Sequence, residues 1–436
     1  MARFYVTSAA IIIILSSHLN AQQGWTYYKY KDLPVTGIMF CIQTDYKGGI
    51  YLGLTGGLAK YNGFEWIRIY YNELDPMMHD NHFNIRRISF SNGYLWAGTN
   101  NGIIRFQGYE KKHYNPENTP SMPSDKIRGI APDKYGNIWF LHHSLAISTF
   151  LPEADSVVNY QVPTTTPLPF AADADIFCDS EDNLWYSADG GFVKFSGGIA
   201  KVLSIEDIPG LDEKVNSIQI MTDNTIAVLT EHKLFKYKDY KGEATSTEID
   251  IPEGLLGEGE FFKIIKTDLE GNLWILSRIE KGSNTTSKHF YKYSKKGEWS
   301  KYSFPKFDGI DTDVYSLTDF TVDEKGRVWF SDPYYGVFVF NPKEIASAAV
   351  DEHSPNCSLT AIPNPACDYI HAMLQGRMPG NVNQQDNCSY EIYNAHGQLV
   401  LTGSISYHAG KISIGNIPKG LYYISMGRKL SAFIKN

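Results

Sequence analysis

Between residues 25 and 345 the chain alternates short apolar runs with polar turns, and the alternation recurs at a regular interval. A turn built from Asp, Asn and Gly leads into a strand where Leu, Ile or Val alternates with Trp. The clearest copies are Asp133-Lys-Tyr-Gly136-Asn137-Ile138-Trp139, Asp268-Leu-Glu-Gly271-Asn272-Leu273-Trp274 and Asp323-Glu-Lys-Gly326-Arg327-Val328-Trp329. Further copies end at Tyr51, Trp96, Trp185 and Ala227, which spaces the seven copies 42 to 55 residues apart. Period-two alternation marks strands whose side chains point to opposite faces. Asp and Asn accept backbone hydrogen bonds in the turns, and Gly takes the positive φ a hairpin needs. Because both faces are apolar, each small sheet must be covered on both sides by its neighbours. That requirement, repeated at this interval, predicts a seven-bladed β-propeller.

The copies extend in a common way. An inner strand precedes the turn, at 127–130, 215–218 and 314–317. A Gly-led third strand follows, at 57–61, 102–106, 191–195 and 336–340, and a polar outer strand closes the unit, at 65–70 and 298–302. No outer strand follows Phe340, whereas residues 25–30, Trp-Thr-Tyr-Tyr-Lys-Tyr, have the look of an outer strand without a blade. Residues 25–31 are therefore expected to complete blade seven, which removes two open sheet edges. The recurring Asp and Trp read as structural, since Trp buries a large area at each position. An insertion near 277–288 lengthens blade six, and Asn284-Thr-Thr within it reads as a flexible tip.

Residues 1–21 read as a signal peptide. Arg3 precedes an apolar run over 4–15, shorter than a membrane span, and a polar stretch ends at Ala21. No other run holds enough consecutive apolar residues, so the mature chain is expected to have no transmembrane segment. The 436 residues carry a formal net charge of −8, without the basic balance of a nucleic-acid binder. Five cysteines are present. Cys41 and Cys178 fall in inner strands and read as buried thiols, while Cys357, Cys367 and Cys388 cluster near the end, with Cys367 and Cys388 the favoured pair.

At the quoted turns and strands the repeat resembles the two-component regulator propeller family. Leu95-Trp96-Ala97-Gly98-Thr99-Asn100-Asn101-Gly102-Ile103 matches the second half of its repeat, and blades one, three and six match the first half. The resemblance spans about residues 25–345. It implies an extracytoplasmic propeller that senses glycans, although no kinase, transmembrane helix or DNA-binding unit follows it in this chain.

After a linker at 346–356, short alternating strands predict a small Ig-like β-sandwich over 357–436. Its ordered motifs are Pro363-Asn364-Pro365, Tyr393-Asn394 with Gly397-Gln398-Leu399-Val400, and Pro418-Lys419-Gly420-Leu421-Tyr422. They resemble the type A C-terminal sorting domain of the type IX secretion system of Bacteroidetes. The resemblance implies export through the periplasm to the outer-membrane surface or beyond, with the type IX machinery as partner. The fold expected is thus all-β: a signal peptide at 1–21, a seven-bladed propeller at 22–345 closed by its N-terminal strand, and a sorting domain at 357–436.

Propellers bind ligands on loops at one rim of the ring. The candidate rim residues are Asn100, His142, His143, Asp189, Glu231, His232, Asp332, Tyr334 and Tyr335, an aromatic, amide and carboxylate set that suits a glycan or protein ligand. The sequence contains no nucleophile elbow, His-Glu-x-x-His or phosphate loop. The reading is a secreted or surface binding propeller with neither cofactor nor metal. Two alternatives stand beside it. One is an extracellular lyase or glycoside-acting enzyme, similar to streptogramin-lyase propellers, which requires His142, His143 or His232 to meet a carboxylate. The other is a detached sensor module.

Overall fold

The computed structural model describes residues 24–34, 37–71, 84–108, 110–144, 146–160, 175–188, 190–208, 210–240, 243–281, 284–307, 310, 315–344, 357–362, 368–376, 387–394, 399–406, 409–426 and 429–435. The signal segment, the 346–356 linker, Asp189, Cys367 and the motif residues Pro363, Asn364, Pro365, Gly397 and Gln398 lie outside them.

Seven sheets follow one another along the chain. Blade two is representative: Arg87–Ser91, Tyr94–Thr99, Gly102–Gln107 and Glu110–Tyr114 pair antiparallel in that order. Blade six adds Asn284–Thr286, which pairs with the end of Leu273–Lys281. The expected flexible tip is thus a fifth strand, because the long second strand leaves an edge there for it to bond.

The turn phrase works through one carboxylate. Asp268 Oδ1 accepts the Glu270 and Asn272 backbone N–H groups, while Oδ2 accepts Asn272 Nδ2 and Trp274 Nε1 at 2.8 and 2.9 Å. Asp133, Asp179 and Asp323 hold Trp139, Trp185 and Trp329 by the same Oδ2 contact. Blade five has Ala227 at this position, with no indole to bond, and Asp223 accepts the Thr225 N–H.

Blade seven is completed by Trp25–Lys29, which pairs antiparallel with Gly336–Phe340. Residues Tyr30–Asp32 form a 3₁₀ turn, so the closing strand stops at Lys29. Trp25 is 5% exposed and packs against Phe290, Phe304, Phe307, Phe330 and Phe340. Gly336 has φ +123°, and a Cβ there would lie 2.2 Å from the Tyr28 carbonyl oxygen. Gly102 meets the Tyr114 carbonyl in the same way, so the borrowed strand fills the site that a blade's own outer strand fills elsewhere.

Two inner strands depart from the sequence reading. Blade seven's is Asp319–Val322 instead of 314–317, and blade five's is Ser217–Ile220. Each runs directly into its turn. The residues upstream that looked strand-like instead fill space between sheets: Tyr315 and Leu317 are buried in the aromatic core of blade seven. Tyr315 also bridges to Ser287 of the blade-six insertion.

The chain divides into two compact units, Met1–Gln43 with Leu52–Leu58 and Arg68–Asn341, and Thr44–Tyr51 with Ala59–Ile67 and Pro342–Asn436. In the C-terminal part, Cys357–Ile362, Tyr369–Gly376 and Ala409–Ser413 form a three-stranded sheet. Leu399–Ser406, Asn387–Asn394, Gly420–Met426 and Lys429–Lys435 form a four-stranded one. Ile370, Ile392, Ile412, Ile414, Ile424 and Phe433 make its core. Tyr422 joins them and donates its hydroxyl to the Pro418 carbonyl, which explains the Pro-Lys-Gly-Leu-Tyr pattern as a buried turn lock.

Candidate functional site

The rim turns join second and third strands, and the structure sorts the candidate residues there into supports and exposed groups. His142 ends a second strand and is fully buried. Its Nδ1 lies 2.7 Å from the Ser124 carbonyl, which only accepts, so Nδ1 carries the proton. Nε2 then faces the Ser148 hydroxyl at 2.8 Å. Burial pulls its pKa down to about 4, against the weaker pull of that carbonyl. His142 therefore stands behind the rim, with neither ring nitrogen available to a ligand.

Asp332 is likewise fully buried. Oδ1 accepts the Tyr334 and Tyr335 N–H groups and Oδ2 accepts the Ser316 N–H, all at 2.9 to 3.0 Å. Burial pushes its carboxyl up while those three donors hold it down. Its part is to fix the turn, and the turn holds Tyr334 outward at 72% exposure. Tyr335 packs inward against Tyr315 and accepts Tyr27 Oη on its carbonyl.

The remaining candidates are spread around the ring. Asn100 Oδ1 accepts Arg86 Nε at 2.9 Å. His143 Nδ1 accepts two guanidinium N–H groups of Arg128. His232 Nδ1 lies 3.2 Å from Glu213, which also holds the His232 N–H and the Thr230 hydroxyl. Glu231 is exposed, and its carbonyl accepts the Phe262 N–H of the next blade. Of the three histidines an enzyme would use, His232 alone meets a carboxylate among the described contacts, in an exposed loop cap. Among the described residues no group of three or more His, Cys, Asp or Glu could hold a metal ion.

A second set was not read from the sequence. Arg87, Gly129, Ser217, Ile264 and Asp319 each pair with the residue two past the tryptophan position of their blade. The Asp175 carbonyl accepts the Ser187 N–H at the same level. In blades two, three, four, five and seven this level lies within one residue of the end of the second strand, whereas in blade six that strand runs on to Lys281; the inner strands that carry it line the throat of the ring. Lys266, two residues further along its strand, pairs its ammonium with Asp319 Oδ1 at 3.4 Å. Asp319 Oδ2 accepts the Ile42 N–H, and Asp175 Oδ2 accepts the Ser217 hydroxyl and Ile218 N–H. Arg87, Asp175, Lys266 and Asp319 come from blades two, four, six and seven. Lys266 feels the charges of Asp319, Asp175 and Arg87, and the buried Cys41 thiol of blade one feels those of Asp319, Arg87 and Lys266. The signal was present: Arg87, Asp175 and Asp319 each sit four residues before the residue that opens their blade's turn, and so does Cys41.

With the fold in place, residues 360–436 match the family described as secretion system C-terminal sorting domain. The C-terminal part is a sorting domain. It implies export by type IX secretion and makes this a protein of the outer-membrane surface or the medium. No curated protein matches the chain. Solved propellers share its fold at low identity. A streptogramin B lyase aligns at 14% identity with a TM-score of 0.54, covering 74% of this chain and 99% of that one. PorZ of Porphyromonas gingivalis, described as an essential surface component of the type IX secretion system, aligns at 13% and 0.54, covering 93% and 60%. The extracellular domain of the hybrid two-component system BT3049 from B. thetaiotaomicron aligns at 16% and 0.54, covering 96% and 58%. This chain therefore spans about three fifths of the latter two chains, and the likeness is one of fold. Among the described residues no helix is long and apolar enough to cross a membrane.

Proposed function

We propose that the chain is an exported binding propeller whose glycan or protein ligand is held at the rim carrying Asn100, His143, Asp189, Glu231, His232, Tyr334 and Tyr335. In this reading residues 1–21 are removed on export, residues 22–345 form the binding ring, and residues 357–436 engage the secretion machinery. The observation that carries it is the Tyr334 turn. A buried carboxylate spends all three of its described hydrogen bonds on backbone N–H groups and thereby holds an aromatic ring out in solvent. Fixing in advance the backbone that bears a large exposed ring lowers the entropy lost on binding, and a Tyr face suits the apolar face of a sugar or a peptide side chain. The turn's hydrogen bonds would be met equally well with a small residue in place of Tyr334, so the fold gives no reason for the ring.

A glycan and peptide array probed with the full mature chain tests the reading. Binding is expected to persist in a chelator and to weaken about tenfold or more in Tyr334→Ala, the scale of a lost aromatic anchor. Turnover of a bound glycan, or binding indifferent to Tyr334→Ala, would overturn it.

A further inference from the structure

We propose that the lip of blades two and three is the part of the rim that takes the acidic group of an anionic glycan, a sugar bearing a carboxylate or a sulfate. The inference rests on the rim reading above and names its ligand class. One strap joins the two turns at this lip. The Ser124 carbonyl accepts His142 Nδ1–H at 2.7 Å, the Asp125 carbonyl accepts the Gly102 N–H, and the Lys126 carbonyl accepts the His143 N–H at 2.8 Å. Three successive carbonyls therefore tie the Asn100 turn of blade two and the His143 turn of blade three to one segment, about 7 Å from end to end.

The hydrogen bonds fix which atoms are left for a ligand. A guanidinium only donates. Arg128 Nε therefore donates to His143 Nδ1, at 3.0 Å, and the proton of that imidazole sits on Nε2. Arg86 Nε donates to Asn100 Oδ1 at 2.9 Å, which leaves Nδ2 as the unpaired end of that amide. Asn115 Nδ2 donates to Asn101 Oδ1, so Asn101 Nδ2 is likewise unpaired among the described contacts. His143 and Lys126 are exposed, and Asn100 and Asn101 are half-buried. The unpaired side-chain groups of Asn100, Asn101, Lys126 and His143 are thus all donors. Arg86, Lys126 and Arg128 bring three positive charges against the one carboxylate of Asp125. An oxyanion accepts from several donors at once, and hydrogen bonds to a charged acceptor are the stronger ones. Neutral amide and imidazole N–H groups beside the cations suit the hydroxyl and ring oxygens that flank the acid group of a sugar, which an acidic peptide side chain lacks. The blade-five corner of the rim has the opposite bias, since Asp212, Glu213 and Glu231 outnumber Lys214 and Lys233.

Titration of the full mature chain with oligogalacturonate, dextran sulfate, dextran and poly-L-glutamate tests this. At least one of the two acidic glycans is expected to bind, with dextran and poly-L-glutamate about tenfold weaker or more, and added salt is expected to weaken that binding. Asn100→Asp keeps the oxygen that Arg86 holds and replaces the unpaired amide with an acceptor. Lys126→Glu keeps the backbone carbonyl that His143 uses and reverses one charge. Each is expected to weaken the acidic glycan by about tenfold or more, the scale of one hydrogen bond to a charged group. Unfolding midpoints establish that each variant is folded, and either variant suffices if the other is not. No binding by either acidic glycan, equal binding of dextran or poly-L-glutamate, or undiminished binding in a folded variant would overturn the assignment. A neutral glycan or a peptide bound on the array and lost in Tyr334→Ala would overturn it alone and leave the rim reading standing, whereas an array without any ligand would remove both.

Discussion

Asp268 uses two oxygens to satisfy two backbone donors, an amide and an indole, and all four would be left in a buried turn without it. Unsatisfied buried donors cost about 1–3 kcal/mol each, lessened where water can enter. Asp268→Ala is expected to lower stability by about 3 kcal/mol, read as a drop in denaturant midpoint, while Asp223→Ala in the copy without Trp costs clearly less. His142 gives a pH dependence with a definite sign. Its folded pKa is about 4 against an ordinary 6.5, so the unfolded chain binds more protons between those values. Stability is then fully present above pH 6.5 and is lost as pH falls toward 4, by about 3 kcal/mol over that window. Denaturant titrations at several pH values check this, and His142→Gln should flatten the slope across that window. Such roles were partly legible. The Asp-to-Trp phrase reads directly because each bond closes within six residues. His142 did not, because a histidine ending a strand looks the same in sequence whether it turns toward the loop or behind it.

At the scale of strands, closure rests on a few residues. Trp25 sits among five phenylalanine rings, and Tyr27 stacks on Phe338. Trp25→Ala is expected to cost about 3–5 kcal/mol, as large-to-small changes in a packed core do. Hydrogen exchange should show protection falling first in Trp25–Lys29 and Gly336–Phe340; unchanged protection there would count against a stapled ring. The closing strand was legible because blade seven lacked a piece and the N-terminus had one to spare. The inner strand of blade seven was misplaced for an instructive reason. Residues 314–317 alternate like a strand, yet Tyr315 and Leu317 serve as filling between blades, and periodicity cannot separate the two uses. The throat needed the stacked register of several blades before its charged positions lined up, so no single repeat announced it.

For the whole molecule, the sorting domain and the ring have separate tasks. A chain ending before residue 360 is expected to keep the ring's thermal transition and to accumulate in the periplasm instead of reaching the surface or medium. Cell fractionation with a ring-specific antibody checks the second part, and surface display of that shortened chain would contradict it. The pairing of Trp25–Lys29 with Gly336–Phe340 also sets a timetable for manufacture. Trp25–Lys29 has no partner for this pairing until more than 300 further residues are in place. Six blades can stack in order of synthesis, but the circle locks last, when beginning and end meet. A chain interrupted anywhere before Gly336 therefore lacks the partner of Trp25–Lys29 and cannot close the circle.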